Sequence, residues 1–342
     1  EKKDPKYKAP LDKAIKFVLD SQYPIGVWPQ RFPKVQAAGL HGLPDYTSYA
    51  TFNDDVAAEN MDFLLMCYQA FGEERLIDPI IRGMNAFIVT QLGPPQPAWG
   101  LQHTLDLQPS GARTYEPKAL VTHTTAGNIG LLIRFYRLTG ETKYLARIPE
   151  VLDWLEKLKL PPGVAPPGRT HPTFVELGTN EPLYVHREGS NVFNGRYYVD
   201  KNPKGTIVHY SSFRNIDVAG LRKQYESARN TPPADVIRTS PLKLGAGKVP
   251  LAKYYTAGPN GDAARVVAEL NAQGYWLAPL GYTSHPYTAD GSKAPQPGDY
   301  SQTYVGDETD TSPYPDPKLM GISIDAYVRN MGVLIKALDA PK

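Results

Sequence analysis

The chain has 342 residues, of which 33 are proline, 29 glycine and 22 tyrosine, with 41% hydrophobic residues and a formal net charge of +2. Its Pro and Gly share stays below the ~25–30% of low-complexity chains, and the apolar share is enough for a core, so disorder and collagen-like repeats are excluded. Balanced charge excludes a polybasic surface for nucleic acid or membrane, the single Cys67 excludes an internal disulfide framework, and no apolar run approaches the ~18 residues of a membrane span.

Helical periodicity begins at Leu11 to Leu19, with Ile15, Val18 and Leu19 on one face. Asn53-Asp54-Asp55 can cap a second helix that runs to about Phe71, buries Val56, Phe63, Leu64, Cys67 and Tyr68, and stops at Gly72. Within that run Cys67 reads as inert core. A third helix starts near Pro79 and carries Ile80, Ile81, Met84, Phe87 and Ile88. A fourth spans about Pro117 to Leu138 and ends at Gly140, and a fifth starts near Pro149 with Val151, Leu152, Trp154 and Leu155 inward.

These segments repeat. Cys67-Tyr68-Gln69-Ala70-Phe71-Gly72 recurs 68 positions later as Phe135-Tyr136-Arg137-Leu138-Thr139-Gly140, each followed by a leucine and a helix-starting proline. A second echo links Ser21-Gln22 and Gly26-Val27-Trp28-Pro29-Gln30 with Thr90-Gln91 and Ala98-Trp99-Gly100-Leu101-Gln102. The unit is a helix hairpin of about 70 residues, and hairpins repeated in this way stack as a solenoid or close into a ring. Loops that leave from equivalent hairpin ends would gather at one mouth, which favours a mainly α fold, an incomplete α/α toroid. Residues 161–255 show no long helical period and read as a loop-rich insertion with short strands near Thr173–Val175, Tyr197–Val199 and Ile207–Tyr210. Helices return at about Gly261–Asn271 and Ile324–Leu338, and with no linker composition in between, the expectation is one domain over 1–342.

Three segments could carry chemistry. Asn53, Asp54 and Asp55 are hard oxygen donors suited to calcium, and equally good helix caps. Trp99, Gln102 and His103 precede Arg113 and Glu116: an indole face can stack on a sugar and an arginine can pair with a carboxylate, or the first can plug the core and the second form a surface ion pair. His186-Arg187 lies in a loop-like stretch that could bind an anion or move a proton.

Together these segments resemble the family 10 polysaccharide lyases, the α/α-toroid pectate lyases, in order and spacing. Gly26-Val27-Trp28-Pro29-Gln30 is similar to the family's Gly-Gly-Trp-Pro-Gln, and Tyr46 with Thr51 to Asp55 to its Tyr-x-x-x-(Thr-Phe-Asn-Asp/Asn). Ala98 to His103 and Ala112 to Pro117 resemble the Ala-Trp-x-x-Gln-His/Tyr and Ala-Arg-x-Tyr-Glu-Pro stretches, Phe174 to Gly189 the segment that ends Arg-Asp-Gly, and Tyr327 to Leu334 the closing Phe-Ile-Arg-Asn motif.

The resemblance implies anti β-elimination on a 1,4-linked uronate polymer such as pectate, with calcium bridging enzyme and substrate. It implies Arg187 as base or charge stabiliser, with His186 as an alternative base, and Asn53, Asp54 and Asp55 as metal ligands. Trp28, Gln30, Trp99, Gln102, His103, Arg113 and Glu116 would then line the cleft. It further implies a secreted or periplasmic monomer whose partner is an acidic polysaccharide or oligouronate; the start at Glu1 without a methionine reads as a mature or trimmed chain whose export signal, if there was one, is absent. Departures are specific: Thr104 stands where the family has aspartate, His186 and Glu188 flank Arg187 where both neighbours are commonly aspartate, and Gly274-Tyr275-Trp276 lacks the arginine of Gly-Arg-Trp. Two other readings stay open, a non-catalytic glycan-binding relative and an inverting glycoside hydrolase that uses Asp54 and Glu116.

Overall fold

The computed structural model describes residues 4–33, 46–188, 196–207, 210–248, 261–279, 283–284, 313–314 and 320–339. The chain divides into two compact units, Glu1–Arg187 with Tyr197–Val249 and Glu188–Arg196 with Pro250–Lys342.

The first unit opens with α1 (Lys8–Ser21), then β1 (Ala50–Thr51), α2 (Val56–Phe71), α3 (Ile77–Val89), β2 (Gln102–His103), β3 (Pro109–Ser110), β4 (Leu120–Val121), α4 (Thr122–Thr139) and α5 (Ile148–Lys157). It continues through β5 (His171–Pro172), β6 (Phe174–Val175), β7 (Pro182–Glu188), β8 (Arg196–Asp200), β9 (Phe213–Arg214), α6 (Val218–Arg229) and the single turns α7 (Pro233–Val236) and α8 (Pro241–Leu244). Helices pack in chain order, α1 on α2, α2 on α3, α3 on α4, with α5 and α6 against α4 and each other, which is the hairpin succession of an incomplete α/α toroid. The second unit contains α9 (Ala263–Ala268), which packs on the final helix, with the pairs β10 (Ala278–Pro279) to β13 (Met320–Gly321) and β11 (Thr283–Ser284) to β12 (Pro313–Tyr314), and α10 (Ile324–Asp339).

The repeat read from the sequence is present in hydrogen bonds. Gly72 (φ 71°) and Gly140 (φ 74°) both take the left-handed conformation that closes a helix, and their N–H groups donate to Tyr68 O at 2.9 Å and Tyr136 O at 2.7 Å. Trp28 Nε1 donates to Val18 O in α1 at 2.9 Å, and its counterpart Trp99 Nε1 donates to Phe87 O in α3 at 3.0 Å. Gln22 Nε2 reaches Gly26 O and Gln91 Nε2 reaches Pro97 O, so each glutamine ties its helix end to the loop that follows. Gly26 (φ 99°) allows that loop to press on α3: a Cβ there would stand 2.0 Å from Arg82 O.

Three expectations differ. The fourth helix begins at Thr122 and not near Pro117, because Leu120–Val121 pairs with Phe174–Val175 before the chain turns helical. Residues 161–255 are not free of helix: α6 is capped by Asp217, whose carboxylate accepts from Gly220 N, and it buries only Val218, Tyr225 and Ala228, too few apolar positions to stand out in a polar stretch. Ile207 is not in a strand, and 208–209 lie outside the described residues. Cys67 is buried at 1% exposure, and burial pushes its thiol up to about 11, as inert core requires.

Candidate active site

Two small sheets bring the motifs together. In the first, β1, β2 and β3 pair antiparallel with Ala50 opposite His103 and Thr51 opposite Gln102, while Pro29 bridges to Ala50. Thr51 N donates to Trp28 O, and Phe52 N and Asn53 N both donate to Leu101 O. The Trp-Pro-Gln, Thr-Phe-Asn-Asp-Asp and Gln-His stretches therefore share one ladder. The second sheet has the order β4-β6-β7-β8, and β4 starts four residues after Glu116, so the Arg113–Glu116 turn leads into the sheet that carries Arg187.

A continuous polar network runs across these motifs. Gln102 Nε2 donates to Gln30 Oε1 at 2.8 Å, Gln30 Nε2 lies 3.4 Å from Asp54 Oδ2, and Asp54 Oδ1 lies 3.7 Å from an Arg113 guanidinium nitrogen. Arg113 grips Glu116 through Nε to Oε2 at 2.8 Å, a second guanidinium nitrogen to Oε1, and its own backbone N–H to Oε2 at 3.0 Å. Asn53 Nδ2 donates to the same Oε1 at 3.1 Å. Glu116 is 2% exposed. A carboxylate this buried must be paired, and the bidentate arginine does it; the hydrogen bonds to Glu116 in turn raise the Arg113 pKa from its ordinary value.

Asp54 (φ 52°) and Asp55 (φ 55°) are both left-handed, and neither side chain caps α2. That conformation is unfavourable for residues with a Cβ and tends to persist where function demands it. Beside the network stand aromatic and cationic groups that sequence reasoning did not assign to the site. Tyr115 packs on Tyr210 (5.5 Å) and Tyr197 (5.7 Å), Arg113 lies over the Tyr115 ring at 5.4 Å, and Arg214 lies over Tyr210 at 5.3 Å. Burial raises the Tyr210 pKa, and the Glu116 and Asp54 charges push it further the same way, which ties its hydroxyl electrostatically to the network. Burial lowers the Arg214 pKa from its ordinary value. The tyrosine excess of the composition was the available signal, but nothing in the sequence located it.

Several expected cleft residues lie elsewhere. Trp28 and Trp99 are 1% and 0% exposed and spend their indole N–H groups on helix carbonyls, so they are core plugs and cannot stack on a sugar. His103 is fully buried, with Nδ1 against Leu107 O at 3.0 Å and Nε2 accepting from Gly100 N at 3.1 Å, and burial takes its pKa down to about 4. His186 places Nδ1 3.1 Å from Gly205 O and Nε2 2.8 Å from Asp200 Oδ1 and 3.1 Å from Asn202 O. Both its nitrogens are turned to protein oxygens, so neither is directed at a substrate proton. Arg187, buried at 6% exposure, is its neighbour on β7 and so points to the other face of the strand.

The residues that would hold calcium do not fit it as placed. Asn53 turns its amide nitrogen to Glu116, Asp54 stands between Gln30 and the cationic Arg113, and Thr104, at the family's aspartate position, hydrogen-bonds Asp106. Among the described residues no group of three or more His, Cys, Asp or Glu side chains is arranged for a metal. Asp54 and Asp55 alone fall far short of the six to eight oxygens calcium takes.

The fold is mainly α, an incomplete α/α toroid. Residues 1–132 match the model of the family described as pectic acid lyase. A family 10 polysaccharide lyase from Cellvibrio cellulosa is similar in structure, with a TM-score of 0.50 and 19% identity over 66% of this chain and 74% of that one. An aspartate-to-alanine mutant of a Cellvibrio cellulosa family 10 lyase, in complex with trigalacturonic acid, gives a TM-score of 0.49 at 19% identity and the same coverage. No protein of curated function matches the chain. The likeness therefore holds in sequence for the first 132 residues, to the pectic acid lyase model, and in fold for two thirds of the chain, to a family 10 polysaccharide lyase.

Proposed function

We propose that the protein is a lyase that cleaves a uronate-containing glycan, pectate-like in its acidic backbone, by β-elimination outside the cell. The observation that supports this reading best is the network from Gln102 through Gln30, Asp54, Arg113 and Glu116 to Asn53, which joins four motifs distant in sequence at one polar surface. A site built only for stability has little use for a buried carboxylate–arginine pair ringed by amides, since an apolar replacement is often as stable.

β-Elimination removes the C5 proton beside the uronate carboxylate, breaks the C4–O bond and leaves a 4,5 double bond. The costly feature is the negative charge that grows on the carboxylate side, and preorganised cations lower that barrier most. Arg113, with a third of its side chain exposed, and Arg214 are the cations next to the network. Arg187 is proposed as the base or charge stabiliser that the family resemblance implies, and His186 drops out of that role because both its nitrogens are occupied. Because the donor set does not suit calcium, these arginines carry the charge and no step passes through a metal.

A hydrolase using Asp54 and Glu116 is disfavoured by the same hydrogen bonds, since Arg113 and Asn53 take both Glu116 oxygens. The test is the ultraviolet absorbance of unsaturated product on a panel of uronate polymers, with and without EDTA. Product is expected in both conditions, with Arg187→Ala slower by about a hundredfold. Saturated reducing ends would select the hydrolase, tight oligouronate binding with no product would select a non-catalytic relative, and an Arg187→Ala variant at full rate would remove that residue from the mechanism.

A further inference from the structure

Behind the Asn53–Asp55 turn lies a pocket of 420 Å³ between the N-terminal halves of α2 and α4. Phe52, Phe87, Ala57 and Leu131 supply apolar walls, and His123, Thr124 and Asn128 project from α4 on the other side. Asn128 is 4% exposed, and its Nδ2 finds no hydrogen-bond partner among the described residues; the same holds for the buried His123 Nδ1. Such groups are costly to leave unmade, and both belong to side chains in the wall of a cavity of ligand size, where a turn of the side chain would bring them to a bound ligand. Burial and the nearby Arg214 keep the His123 imidazole neutral, with a pKa of about 3.

We propose that this pocket is a subsite for a neutral sugar unit of the glycan, a branch or an uncharged backbone residue, held by Asn128 and His123. The occupant is set by charge and surface. No lysine or arginine lines the pocket while Asp54 and Asp55 do, and Arg113 beside Asp54 is already paired with Glu116, so a uronate carboxylate would enter against two like charges. A pyranose instead offers an apolar C–H face to Phe52 and Phe87 and hydroxyls that accept from an amide N–H and donate to carboxylate or imidazole. The inference rests on the lyase reading for its substrate and makes that substrate a mixed, not a purely anionic, polymer.

Saturation-transfer NMR of the full chain with galactose, rhamnose, arabinose and xylose, and with galacturonate as the anionic comparator, tests it. Saturable binding of at least one neutral sugar is expected, and Asn128→Leu and Gly127→Leu should each abolish it. The second variant guards against a folding defect, because Gly127 lines the pocket, a Cβ there meets nothing within 4 Å, and leucine favours the helix. Both variants should lower the ratio of cleavage on a neutral-sugar-bearing uronate polymer to cleavage on an unbranched one by about tenfold, the scale of one lost buried hydrogen bond. Binding of galacturonate and no neutral sugar, no binding at all, or neutral-sugar binding unchanged in both variants would overturn the subsite. If both variants abolish neutral-sugar binding and no uronate yields unsaturated product, the pocket stands and the lyase is removed.

Discussion

His103 shows how one residue can belong to a site motif by sequence and to the core by position. Its ring accepts from Gly100 N and faces Leu107 O, edge-on to Phe52 at 5.5 Å, so it fixes the loop that carries Gln102 into the network. Burial lowers its pKa to about 4 from an ordinary 6.5. Between those values the unfolded chain binds a proton that the folded chain refuses. Its contribution to stability is therefore complete above pH 6.5 and shrinks as the pH falls toward 4, by roughly 3 kcal/mol in all. Melting temperature should fall over that window, and His103→Gln, though less stable near neutrality, should show a shallower slope; a wild-type melting curve flat from pH 6.5 to 4 would contradict the burial argument. The residue types of the site were legible because Asn, Asp, Arg and Glu in fixed order carry chemistry on their face. Whether Trp28 or Trp99 lined a cleft was not, because an indole that plugs a core and one that stacks on sugar look the same until the destination of the N–H is known.

At the scale of elements, the hairpin repeat was readable because each copy ends in the same physical device, a left-handed glycine after an aromatic helix end, with a glutamine tying back the loop. Helix α6 was not readable, since a helix that buries three apolar side chains leaves hardly any period to detect. The start of α2 was legible only as an ambiguity between cap and ligand. The structure removes the cap, because neither aspartate side chain bonds the helix and both backbones sit where glycine is preferred. Replacing either by glycine should relieve about 1 kcal/mol of backbone strain. Asp54→Gly and Asp55→Gly are therefore expected to melt at or above the wild-type temperature while the proposed turnover of a uronate polymer falls. A variant that loses melting temperature and activity together would mean that the aspartates serve folding instead.

Over the whole molecule, the net charge of +2 bears on how an anionic polymer is captured. Steering at long range needs an excess of one sign over a surface, and exposed charges more than ~8 Å apart are screened from one another at physiological ionic strength. Some of the basic residues outside the network are engaged in local pairs, such as Arg134 with Asp62, Arg147 with Glu150 and Lys201 with Glu176 and Glu181. In the proposed lyase, recognition of a uronate would then rest on short-range interactions with Arg113 and Arg214, which sit in a partly buried setting that salt screens much less. The expected consequence is a kcat/KM on uronate polymer that falls only a few-fold from low salt to about 0.15 M, unlike the steep loss of a binder that works by counterion release. Measured at fixed pH with the polymer length held constant, a decline of a hundredfold or more would instead require an extended basic surface. The same logic separates the two sites. Binding of a neutral sugar beside Asn128 should not respond to ionic strength, because the ligand carries no charge, so a salt series run on both ligands reads the cationic cleft and the neutral-sugar pocket independently.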